Sequence, residues 1–353
     1  MPKKKKTLPK NFGELIEKGN IDDLIAVFEK CELSATGGYF KETALSFFNV
    51  PEELVRWLVA NGADIDVVDI YGRTPLHNHA MRRNGDAAIF IELGANIEAK
   101  DKKGDTPLHM AAGSGFNVKM VQLLVLNGAD ITAKNDQGET SLIHAIRRAS
   151  NIDIVNLVAI SDILFQDGMP IVEEMQKAVV AIGENFEFHR ENFNKEYLSA
   201  TDAALSQLYL KFNVAPVKKR QLHNGISPIT VIATEWEDQY SELWDLLIPS
   251  SGPAKTVQGE VIRITGKVRD EIYRNGGANW NVDFKKMLDA LIKHLGSGLQ
   301  LTETLLIEAN SIAQEIRRSG NGDEEPSRLC ELATTWVMMN LNPVLLNKPD
   351  YKI

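Results

Sequence analysis

The sequence predicts an all-α protein in two parts: a solenoid of stacked helical repeats, then an α-helical domain of different design. Three observations carry that prediction. A unit that opens on Thr-Pro-Leu-His, at Thr74 and again at Thr106, recurs with a worn third copy at Thr140, at spacings of 32 and 34 residues. Beyond Gly168-Met169-Pro170 this period disappears, yet apolar residues continue at helical spacing. After residue 170 no alternating apolar and polar run marks a strand.

The repeat unit follows from its residues. Gly72, Gly104 and Gly138 each stand two residues before a threonine, where a tight turn needs a positive φ. The threonine then caps a helix that in the two clear copies starts with proline, whose missing N–H costs nothing at that position. Met120 to Leu126 supply a second helix with an apolar stripe, and Gly128 ends it. A turn and two helices cannot bury an apolar face alone, so neighbouring units must stack. Units of about 33 residues that open on Thr-Pro-Leu-His resemble the ankyrin repeat. The resemblance implies an ankyrin-repeat solenoid over residues 10–168, about four repeats plus an N-terminal cap; the helical periodicity that continues beyond it places an α-helical domain over 169–353.

In chain order, Lys3-Lys4-Lys5-Lys6 precedes any periodic pattern, and residues 1–9 read as a disordered basic tail. From Phe12, Leu15-Ile16 and then Ile21, Leu24, Ile25, Val27 and Phe28 describe two short helices parted by Gly19-Asn20, a degenerate cap unit. The next unit opens at Thr43 without the proline and without a glycine two residues earlier, and its second helix starts at Pro51-Glu52. The unit beginning at Gly72 is two residues shorter than its successor, so Met81-Arg82-Arg83-Asn84-Gly85 must turn in less chain while leaving the core intact. The last unit ends at 155–160 with no Gly-Ala-Asp signature, as expected where copies stop stacking.

Helices follow at 171–190, 195–212, 228–248, 256–274, 282–295, 302–318 and 326–341. The helix at 256–274 is the best patterned, with Val257, Val261, Ile264, Val268 and Ile272 on one stripe. Gly259 and Gly266 within it cost about 1 kcal/mol each against alanine, which implies close approach of another helix.

Composition bounds the function. A chain of 353 residues, 44% hydrophobic and 25% charged, has room for two cores. Its net charge of −9 divides as −3 over residues 1–165 and −6 over the rest, a poor footprint for nucleic acid, whose phosphates need clustered cations. Cys31 and Cys330 lie inside apolar helical patterns and read as buried thiols. With no stretch near 18 uninterrupted apolar residues and no signal-peptide core, neither a membrane span nor a membrane partner is expected, and the expected compartment is the cytoplasm.

No His-x-x-x-His or Cys-x-x-Cys spacing suggests a metal. The glycine turns at 275–278 and 320–322 lack the Gly-Lys-Ser/Thr ending of a phosphate loop, so no cofactor is expected. Asn321, Asp323 and Glu325 alternate like a calcium loop, but Pro326 and Leu332 stand where glycine and glutamate are required. His77 and His109 occupy the histidine of the repeat motif, where the resemblance implies that they tie backbone groups of adjacent turns together.

Two candidate sites remain. On the helix at 256–274, Glu260, Arg263, Lys267 and Glu271 recur at spacings of three and four, with Asp283 beyond a glycine turn. Glu260, Arg263, Lys267 and Asp283 would form a charged pocket for acid–base work if they converge, and a solvated helix face of ion pairs if they do not. The second candidate rests on the resemblance, which implies a concave strip of hairpin tips and inner helices that binds another protein. It is made of Ile70, Tyr71, Arg73, Asn78 and Met81, then Lys102, Lys103, Asp105 and Met110, then Asp136, Gln137, Glu139, His144 and Arg147. Tyrosine, methionine and arginine are residue types that anchor interfaces. The strip makes a protein-interaction module the preferred reading over an enzyme of the second domain or an immunity-type inhibitor of a toxin.

Overall fold

The computed structural model describes residues 3–83, 85, 87–166 and 168–352; Asn84 of the shortened turn lies outside them. The chain opens on a small sheet. Strand β1 (Lys5–Thr7) runs parallel to β2 (Cys31–Gly37), which pairs antiparallel with β3 (Glu42–Thr43). The expectation of a disordered tail over residues 1–9 is therefore overturned for Lys5–Leu8. Leu8 is buried, its N–H donates to Thr36 O at 2.9 Å, and Lys4 Nζ donates to Phe28 O at 2.6 Å. The open edge of β2 supplies the backbone partners, and the side chains of β1 stay in solvent, so its lysines are no obstacle.

Helices α1 (Phe12–Lys18) and α2 (Ile21–Lys30) form the expected cap pair, with Gly19 at φ 68° ending the first and the Asn20 side chain capping the second. Next come α3 (Glu52–Ala60), α4 (Pro75–Ala80), α5 (Ala88–Glu92), α6 (Pro107–Gly113), α7 (Val118–Leu126), α8 (Ser141–Arg148) and α9 (Ile154–Leu164). Thr74, Thr106 and Thr140 cap α4, α6 and α8 by accepting from the N–H three residues on. His77 Nε2 lies 3.0 Å from Asp105 O, and His109 Nε2 lies 3.0 Å from Glu139 O. Each histidine thus joins its unit to the next, as the resemblance implied. Leu54, Leu58, Leu76, Phe90, Leu108, Val121 and Leu124 are buried between the helices of these units.

The two-residue deletion is absorbed where the sequence placed it. Asn117 of the following unit donates to Arg82 O and Gly85 O, and a Cβ on Gly85 would come 1.9 Å from His79 O. Ala87 and Phe90 remain fully buried, so the core is intact.

Helices α10 (Glu173–His189) and α11 (Lys195–Lys211) follow. The chain divides into two compact units, one running to Phe186 with Asn194–Val217, the other comprising Glu187–Phe193 and the chain from Lys218 onward. The expected boundary at residue 168 falls inside the first unit. Helix α9 is apolar nearly all round, so it needs cover beyond its own repeat, and α11 packs against it.

The second unit holds α12 (Trp236–Leu247), α13 (Val257–Asn275), α14 (Val282–Leu295), α15 (Glu303–Ser319) and α16 (Glu325–Met339). The helix expected from residue 228 begins only at Trp236. Ile229, Thr230, Val231, Ile232 and Thr234 form a β-branched run that loses rotamer freedom in a helix, and the N–H groups of Ile232 and Ala233 bond the Glu242 carboxylate instead. Helix α13 packs against α12, α14 and α16. The chain after α16 forms a strap across the start of α13: Val257 N donates to Val344 O at 2.8 Å, Leu346 N to Lys255 O at 3.1 Å, and the Gln258 side chain bonds Asn340 O, Asn342 O and Val344 N.

Candidate partner-binding surface

The hairpin before each capped helix is built the same way. Asp69, Asp101 and Asn135 each accept, through a side-chain oxygen, from the N–H groups two and four residues ahead, at 2.8–3.1 Å. Their own N–H groups donate 3.0 Å to the carbonyls of Arg73, Asp105 and Glu139. Gly72 and Gly104 turn the chain at positive φ against the next hairpin, where a Cβ on Gly104 would meet Asp136 N at 2.8 Å. Lys41 takes the same place before Thr43 and adopts φ 52° without being glycine.

The tips are linked from unit to unit. Ile70 N donates to Phe40 O at 3.2 Å, Lys102 N to Tyr71 O at 2.9 Å, and Asp136 N to Lys103 O at 3.0 Å. Each tip therefore exposes a pair of side chains at one register: Tyr39-Phe40, Ile70-Tyr71, Lys102-Lys103 and Asp136-Gln137. The Tyr39 and Phe40 rings meet edge to face at 5.3 Å, and Phe40 lies 5.7 Å from Tyr71. Arg73 stacks over Tyr71 at 5.2 Å, donates to Met81 Sδ, and bonds Asp101 at 3.5 Å. Tyr39 and Phe40 were not among the expected strip residues. Their signal was present, since they stand four and three residues before Thr43 as Ile70 and Tyr71 stand before Thr74.

Of the expected strip, Ile70, Tyr71, Met81, Lys102, Lys103, Asp136, Gln137 and Arg147 are exposed and Arg73 is half-buried. Asn78, Asp105, Met110, Glu139 and His144 are buried, which corrects their placement on an open surface. Their polar groups serve one another. Asn78 Nδ2 donates to Asp69, Asn135 Nδ2 donates to Asp105 at 2.8 Å, and Glu139 pairs with His144 Nδ1 at 2.9 Å and with Arg147. Burial pushes the Glu139 carboxyl up, but bonds from His144 and Asn135 and the charge of Arg147 outweigh it and hold the group below the usual carboxylate range.

The charged set of the second unit converges only in part: Glu260 is bound to Arg263, Arg263 and Lys267 line one groove, and Asp283 does not join them. Glu260 is fully buried, with its oxygens accepting from Ala254 N, from Arg263 Nε and Nη2 at 2.9 and 2.7 Å, and from the Tyr351 hydroxyl at 2.8 Å. Burial raises its carboxyl, yet the Arg263 bonds and charge bring the net position below the ordinary value. Lys267 is exposed, and Asp283 stands apart in the first turn of α14, where a carboxylate suits the helix start. Neither the acid–base pocket nor the fully solvated face describes this arrangement. Gly266 meets the expected neighbouring helix, since a Cβ there would come 2.1 Å from the Trp244 ring of α12; a Cβ on Gly259 would first meet Ala254 of the connection before α13, at 2.8 Å.

A solenoid of two-helix units joined by bonded hairpin tips defines a repeat protein. The model of the family described as ankyrin repeats (3 copies) matches residues 42–135 and again 84–167, and residues 42–167 are ankyrin repeats. No curated protein matches the chain. Ankyrin repeats are in general modules of protein–protein interaction. Among the described residues, no helix is long and apolar enough to cross a membrane, and no group of three or more His, Cys, Asp or Glu side chains is placed to hold a metal ion.

Proposed function

We propose that the protein recognises another protein through the tip strip, with the aromatic corner Tyr39, Phe40 and Tyr71 as its anchor. The observation that carries this reading is the exposure of three contacting aromatic rings beside Arg73 and Met81, when tyrosine exposes 84% of its surface at Tyr39. Rings held so offer a large apolar contact at small entropic cost, as interface anchors do. The strip grades from aromatic at Tyr39-Phe40 to basic at Lys102-Lys103. A fitting partner presents apolar side chains followed by carboxylates. The second unit serves as an additional binding surface.

The test is affinity capture from a source lysate with the full chain, with a Tyr39→Ala, Tyr71→Ala, Lys103→Ala variant, and with Leu126→Ser, whose side chain is exposed on α7. A protein retained by the first and third and lost by the second supports the strip. Retention by all three would move recognition elsewhere on the chain.

A further inference from the structure

Between α12 and α13, wholly within the second unit, lies a groove of about 670 Å³, the size of a small-ligand pocket. Gly266 makes its floor. Without a side chain there, the Trp244 indole lies against the backbone of α13 and stacks on Tyr240 at 6.3 Å, half-buried and partly open to the groove.

Four cations of α13 line the groove, and their counter-charges are unevenly distributed. Arg263 is bound to Glu260, and Arg274 pairs with Asp270 at 2.9 Å. Lys267 and Arg269 have no carboxylate within ion-pair distance among the described residues, and the Arg269 guanidinium lies 5.0 Å over the Tyr240 ring. The remaining carboxylate of the wall, Asp245, acts on Arg220. At the far end the hydroxyl oxygens of Ser250 and Ser251 accept from Asn192 Nδ2 at 2.6 and 2.9 Å, which leaves both hydroxyl protons to donate.

We propose that this groove binds a small phosphate-bearing ligand with a flat ring, of the nucleoside phosphate class. The ring stacks on Trp244, and the phosphate oxygens accept from Lys267, Arg269 and the serine hydroxyls. An aromatic wall alone takes a neutral ring; the two uncompensated cations beside it select a charged one. The site is independent of the repeat strip, so it stands or falls apart from the partner reading.

The experiment is calorimetric titration of the full chain at low salt with ADP, adenosine and inorganic phosphate in separate arms. ADP binds at least tenfold more tightly than adenosine or phosphate, and Lys267→Ala and Arg269→Ala each weaken ADP at least fivefold. Arg318→Ala, an exposed cation outside the groove, leaves ADP binding unchanged, and thermal melts check that each variant is folded. Adenosine or phosphate binding as tightly as ADP, ADP affinity unmoved by Lys267→Ala, or no ADP binding up to millimolar concentration would each overturn the assignment.

Discussion

Lys41 shows how a single position departs from its repeat. The other units use Gly72, Gly104 and Gly138 for the same left-handed turn, whereas Lys41 holds φ 52° with a Cβ. That conformation costs an L-residue about 1–2 kcal/mol, partly offset by the greater entropy glycine loses on folding. Lys41→Gly should therefore raise stability by about 0.5–1 kcal/mol in a urea titration. The motif histidines give a pH signature. Burial, more than any other influence, pushes His77 and His109 below their ordinary value of 6.5, against bonds to Asp105 O and Glu139 O that act the other way. Above pH 6.5 both folded and unfolded chains carry them neutral, and their contribution to stability is complete. As pH falls below 6.5 the unfolded chain takes up protons that the folded one resists, and stability declines. The urea midpoint at pH 5.5 should lie below that at pH 7.5, and His77→Gln with His109→Gln should narrow the gap.

Among the elements, the strap after α16 has the clearest measurable weight. It covers the first turn of α13 and brings the Tyr351 hydroxyl to the buried Glu260 carboxylate. Tyr351→Phe deprives that carboxylate of a donor and should cost the second unit about 1.5–3 kcal/mol, read by thermal melting. The elements also show what a sequence discloses. Helices α14 and α15 were legible nearly to the residue, because Asn281 and Thr302 cap their starts and Gly296 and Gly320 their ends. Strand β1 was not, because its pairing is decided by the edge of β2 and a run of lysines carries no alternation. Helices α10 and α11 were visible as helices but not as part of the first unit, since apolar periodicity gives a face and not the surface that receives it. The strip divides likewise: exposure of Tyr71 or Lys103 follows from the turn, while burial of Asp105, Glu139 and His144 depends on partners such as Asn135, which lies 30 residues from Asp105.

At the level of the whole chain, two units with separate cores predict unfolding that is not two-state. Calorimetry should resolve two transitions. Leu108→Ala, in the repeats, should lower one, and Leu288→Ala, in the second unit, the other, each by about 2–5 kcal/mol of local stability. A single transition shifted equally by both would show that the cores melt together.

The bonds that run from tip to tip, Phe40 to Ile70, Tyr71 to Lys102 and Lys103 to Asp136, turn the hairpins into a graduated rule. Side chains along it stand at intervals set by the backbone, and one unit cannot shift without straining its neighbours. If the strip reads a partner as proposed, selectivity becomes a matter of length: a segment with the right residues at the wrong interval would meet one mark and miss the next.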